Sequence, residues 1–198
     1  MSIVFKKTLN TRCRADVAVV GGGIAGVAAA VAAADRGADV VLIERFAVTG
    51  GNATSGGVAA FCGETAGQGR VFDEIVSELE RCRAIVPYRP YPEMEARCFD
   101  HEILALILQE MLLRHRVRLL LHTRVADCVM EGAALRSCLI AGSAGLEAVE
   151  AGMFIDCSGE AILVHCAGLA TMKGGEDSPA LLPMALMACI SIIGPSVL

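Results

Sequence analysis

Apolar positions run in two rhythms along this chain, and the switch between them predicts its elements. Val17 to Val20 and Val40 to Ile43 are unbroken apolar quartets, the pattern of strands covered on both faces. Between them an alanine-rich helix is predicted to run to Arg36, where Gly37 breaks it. Val71 to Arg83 carries Val71, Phe72, Ile75, Val76, Leu79 and Cys82 on one helical face. Asp100 is placed to cap a further helix, His101 to His115, whose nearly continuous apolar residues predict burial. Then the period shortens. Val117 to Thr123 reads as a strand, and Arg124 to Met130, Ala134 to Ile140 and Leu146 to Glu150 read as an antiparallel meander. Glu131-Gly132 and Gly142-Ser143-Ala144-Gly145 supply its turns. A separate strand, Met153 to Asp156, ends at Cys157-Ser158-Gly159. Two stretches read as irregular. Arg45 to Gly69 is glycine-rich and long enough to mark a functional loop. Pro87 to Pro92 holds three prolines and both tyrosines and reads as a surface loop. No internal repeat is present.

The first quartet, the glycines after it and the second quartet form one unit, from Asp16 to Glu44. Gly21, Gly23 and Gly26 have the G-x-G-x-x-G spacing of a dinucleotide-binding βαβ turn. Gly21 permits the tight turn, and Gly23 lets backbone N–H groups approach a pyrophosphate. Gly26, with Ala30 one turn later, lets the helix press on the sheet. The helix N-terminus offers unpaired N–H groups and the positive end of its dipole to the phosphates. Glu44 is placed to accept hydrogen bonds from the ribose hydroxyls of an adenosine, and its charge would repel a 2′-phosphate. The expected ligand is therefore FAD or NAD, not NADP.

Composition narrows this further. The 198 residues suffice for one domain, or one domain and a fragment of another. Hydrophobic residues make up 55%, as a parallel α/β sheet covered on both faces requires. A net charge of −5 with no basic stripe argues against nucleic acid. Lys6, Lys7, Arg12 and Arg14 precede the first strand without the apolar core of a secretory signal. The nine cysteines form no C-x-x-C or zinc spacing, which predicts a reduced, cytoplasmic protein without a metal site. Leu181 to Leu198 carries no charge, yet Pro183, Gly194 and Pro195 interrupt it. It is read as a buried strand and loop whose covering partners the chain lacks, not as a membrane span. Cys62, His101, His122, Arg70, Arg97 and Arg124 are read as structural or surface residues, and no catalytic acid or base is identified.

The order of elements, with three stretches that punctuate it, resembles the FAD-dependent oxidoreductases, two-dinucleotide-binding-domain flavoproteins of the glutathione reductase type. The stretches are Gly21 to Glu44, Gly50-Gly51-Asn52-Ala53-Thr54-Ser55-Gly56, and Phe154-Ile155-Asp156-Cys157-Ser158-Gly159. The resemblance implies an α/β fold: a Rossmann-like FAD-binding domain over residues 15–170, with a parallel sheet and an antiparallel β-meander. An N-terminal extension, 1–14, would precede it, and the start of a truncated second region, 171–198, would follow. It further implies that Gly21, Gly23, Ala25, Gly26 and Glu44 hold the adenosine pyrophosphate. Gly50, Gly51, Asn52 and Thr54 would pass beside the ribityl chain and flavin, Val125 would meet the adenine, and Gly159 would turn near the cofactor. Glu160 stands where relatives carry the first acid of a Gly-Asp-Gly-Asp-like turn, and the second acid is missing. The expected function is two-electron redox on a small organic substrate, with a partner chain or second copy completing the site. An NAD-dependent dehydrogenase and a non-catalytic fragment are the alternatives.

Overall fold

The computed structural model describes residues 3–4, 6–63, 65–91 and 94–172, so the apolar stretch from Leu181 lies outside the described residues. In chain order the elements begin with β1 (Thr11–Val20), α1 (Ile24–Asp35) and β2 (Val40–Ile43). A 3₁₀ turn (Gly51–Ala53), β3 (Ala60–Cys62), α2 (Arg70–Arg81), β4 (Ile85–Tyr91), β5 (Met94–Phe99) and α3 (His101–Arg114) follow. The chain then runs through β6 (Arg118–Leu120), β7 (Arg124–Glu131), β8 (Ala134–Gly142), β9 (Gly145–Asp156) and α4 (Ile162–Cys166).

One six-stranded sheet, in the order β6-β2-β1-β9-β8-β7, organises the molecule. Its first four strands are parallel, and β8 and β7 continue it antiparallel. Both apolar quartets are central here, which explains their lack of polar alternation. Val19 and Leu42 face a core completed by α1, α2 and α3, with Val27, Val31, Ile75, Leu79, Leu104, Leu108 and Met111 buried in it. Ala18, Val20, Val41 and Ile43 face the opposite core, against Val125, Cys138, Ile140, Val149 and Leu163. Three helices on one face and the meander with α4 on the other bury the Ala18–Val20 end of β1 on both sides.

The helices are tied together at one end. Asp35 at the end of α1 accepts from Arg70 of α2 and pairs with His115 Nδ1 at 2.7 Å, while Arg114 reaches Glu74 at 3.2 Å. Asp100 caps α3 as expected, accepting from the N–H groups of Glu102 and Ile103 at 2.9 and 3.1 Å.

Several expectations are corrected. The Pro87 to Pro92 stretch is not simply a surface loop, because residues 85–91 form β4 in a small antiparallel sheet, β3-β5-β4. β4 lies at its edge, the position in a sheet that tolerates proline. The last meander strand and the strand before Cys157 are one element, β9, and β1 starts at Thr11 to pair along it. α3 is not buried all round, since Leu106 and Leu113 are 60% and 57% exposed. The loop after β2 contains the 3₁₀ turn and β3, and α4 was not foreseen. Among the described residues no helix is long and apolar enough to cross a membrane, no disulfide forms and no metal-ligand cluster occurs.

Candidate cofactor cleft

The strand order reverses at β1: the chain leaves it through α1 to β2 on one side and returns as β9 on the other. A crevice must open at the carboxyl ends of these strands, the topological switch point where α/β sheets bind ligands. Backbone bonds continue past the strand ends and hold its walls. Gly21 N–H donates to Ile43 O at 2.8 Å, Cys157 N–H to Val20 O at 2.8 Å, and Glu44 N–H to Leu120 O at 2.9 Å.

The glycine turn sits on this frame. Gly21 has φ +97°, and a Cβ there would lie 2.5 Å from the Cys157 carbonyl oxygen. A Cβ on Gly26 would lie 1.8 Å from the Gly21 carbonyl oxygen, so this glycine lets α1 begin against its own turn. Gly23 differs: a Cβ there meets nothing within 4 Å. It is the N-cap of α1, with no side-chain cap and no acidic residue in the first turn, so the helix offers its first N–H groups and positive dipole end uncompensated. Gly50 N–H donates to Gly22 O at 2.7 Å, stitching the loop after β2 to this turn. Gly51 then passes so near that a Cβ on it would be 3.1 Å from Gly23 Cα.

Glu44 is 4% exposed and held at both oxygens: Oε2 accepts from Gly22 N–H at 2.6 Å and Oε1 from Phe46 N–H at 2.8 Å. The carboxylate is thus aimed before any ligand arrives. Asp156, at the end of β9, accepts from Ser158, Leu163 and Val164 N–H groups and anchors α4. Burial pushes its pKa up, but the bonds from Ser158, Val164 and Leu163 outweigh it and hold the carboxyl below its usual value.

The cleft at this switch point measures about 540 Å³ and brings together Gly21, Gly23, Ala25, Glu44, Gly50, Gly51, Asn52 and Gly159. A smaller recess of about 100 Å³ adjoins it, sharing Gly21 and Glu44 and adding Val125. Its floor is apolar, from Val20, Ile43, Val125 and Ile162. Gly26 and Thr54 line neither. Gly26 acts beneath the turn, and Thr54 is buried, its hydroxyl donating to Thr49 O at 2.7 Å inside its loop. Sequence reasoning missed Arg45, Phe46 and Ser158, all on the cleft, and the apolar lining from Val58, Ala60, Phe61 and Phe72. Position next to Glu44 and Gly159 was the available signal for the first three. Cys157 also lines the cleft, but burial and then the neighbouring Asp156 push its thiol pKa up, away from nucleophilic chemistry.

Comparison with known proteins agrees with this geometry. Solved structures with the same fold include a geranylgeranyl bacteriochlorophyll reductase-like protein from Thermoplasma acidophilum, with TM-score 0.57 and 18% identity over 79% of this chain and 42% of that one. A p-nitrophenol 4-monooxygenase from Pseudomonas putida gives TM-score 0.58 and 17% identity over 81% and 44%. A myxobacterial chondrochloren halogenase, described as a variant of FAD-dependent halogenases, gives 0.54 and 20% over 73% and 37%. The chain therefore spans less than half the length of each. No curated protein sequence matches it. A family model for FAD dependent oxidoreductases matches residues 16–195, nearly the whole sequence and every wall of the cleft. On that match the chain belongs to the FAD dependent oxidoreductase family, whose cofactor is FAD.

Proposed function

We propose that this chain forms the FAD-binding part of an oxidoreductase that carries out two-electron redox on a small organic molecule. The observation that carries the proposal is the open position at Gly23. It lies at the uncapped start of α1, between the fixed Glu44 carboxylate and the Gly50-Gly51 backbone. Side-chain-free backbone, a helix dipole and a pre-aimed carboxylate are the donor set a ribose pyrophosphate needs.

In this reading Gly21, Gly23 and Ala25 bring backbone to the pyrophosphate, and Glu44 accepts from the adenosine ribose. Val125 and the apolar floor of the recess take the adenine. Gly50, Gly51, Asn52 and Gly159 border the path toward the flavin, while Gly26 and Thr54 serve from behind by shaping the turn and loop. The flavin supplies the hydride chemistry when bound. The chain's residues orient it and exclude water; Val58, Ala60, Phe61 and Phe72 give the cleft an apolar lining. The substrate is read as a small molecule, the compartment as the reducing cytoplasm, and a partner chain or second copy as completing the pocket. Titrating the full chain with FAD tests the central reading. Saturable uptake with a shifted flavin absorbance is expected, and unchanged spectra at saturating protein would sink it.

A further inference from the structure

Arg45 follows β2 and Glu160 follows the turn after β9, and these two strands flank β1 on opposite sides. Their side chains nevertheless meet, with Arg45 NH1 to Glu160 Oε1 at 2.8 Å. A bond between those two points spans β1 at its carboxyl end, and both residues line the recess together with Val20, Ile43, Val125 and Ile162. Each end is held. The Arg45 guanidinium lies 4.8 Å from the Phe46 ring centroid. Glu160 is followed by Ala161 at φ +51°, a left-handed residue that turns the chain into α4 immediately after the acid.

We propose that the Arg45–Glu160 ion pair is a strap over the adenosine half of the cleft, a specificity device that retains adenine-bearing ligands. The inference rests on the FAD reading above. The strap must part for the adenosine to enter and re-forms over it, so its charge governs residence time. Both side chains are partly solvent-exposed, 39% and 57%, so the effect is that of a screened pair, about two- to fivefold in rate.

The test measures FAD release from the full chain by stopped-flow flavin fluorescence, with ADP affinity by calorimetry as a probe of the adenosine half alone. Glu160→Gln and Arg45→Gln are each expected to speed FAD release two- to fivefold and to weaken ADP by the same factor. The double reversal Arg45→Glu with Glu160→Arg should restore both. Raising salt from about 0.05 to 0.5 M should speed release from the wild type and leave Glu160→Gln unchanged. FAD release that ignores both charges and salt overturns the strap while leaving FAD binding intact. A loss confined to FAD, with ADP unaffected, also overturns it, because the pair would then act at the flavin end. A wild type that takes up no FAD overturns the cofactor reading itself.

Discussion

In the turn after β1, a Cβ on Gly26 would sit 1.8 Å from backbone oxygen, whereas a Cβ on Gly23 would project into open cleft. The loop after β2 differs, because both of its glycines take positive φ. Gly50, at φ +111°, would drive a Cβ into Thr54 at 2.4 Å, while Gly51 lies against Gly23 and lines the cleft. The turn therefore holds glycines that the fold demands, Gly21 and Gly26, beside one, Gly23, that leaves room for a ligand, whereas Gly50 and Gly51 are both held by positive φ. Identical residues in one motif are separable by experiment, because one kind should fail in stability and the other in binding.

Gly26→Ala should give the largest effect. No flexible side chain can yield to the new methyl, so unfolding free energy should fall by about 3 kcal/mol, read by chemical denaturation. A stable Gly26→Ala protein would break the comparison. Glu44→Ala comes next. It strands the buried Gly22 N–H and the partly buried Phe46 N–H, at about 2 kcal/mol, and should abolish FAD uptake as well. Gly23→Ala sharpens the contrast, since its φ of −64° suits alanine. Thermal stability should hold within about 1 kcal/mol, while the FAD dissociation constant rises about tenfold, or about 1.4 kcal/mol.

Asp156→Ala, away from the glycines, should cost about 1 kcal/mol at pH 7 through loss of its backbone bonds. The folded carboxyl titrates below its unfolded value, so this stabilisation is present above about pH 4 and is lost as pH falls through the lower folded value. The gap between wild type and variant should therefore close below about pH 4 in denaturation curves. The smallest effect runs the other way. Ala161→Gly relieves a left-handed alanine and should add about 0.5 kcal/mol, visible as a slightly higher Tm.

How far the sequence carried follows the range of the interactions involved. The two quartets, α1 and the cap at Asp100 were legible because each is decided within a few residues. β4 was not, since Pro87 and Pro90 forbid a central strand but not an edge one, and edge position is a tertiary fact. β9 looked divided at Ala151-Gly152. Yet the strand continues, paired residue by residue with β1, and a Cβ on Gly152 would be 3.3 Å from Asp16 O. Within the cleft, the motif glycines and Glu44 could be named in advance. That the Thr54 hydroxyl turns inward, and that Arg45 meets Glu160 from 115 positions away, depended on loops whose paths no local pattern encodes.

The parallel seam between β1 and β9 has a consequence in time. Thr11 pairs with Ala148 and Val20 with Asp156, so the central strand gains one of its two neighbours only after nearly all the described chain has been synthesised. Until then the glycine turn exists as sequence but has only one wall, and closing so long a loop makes the seam a slow step in folding. A nascent chain stalled short of Asp156 would carry the complete motif and still lack the β9 wall of the cleft.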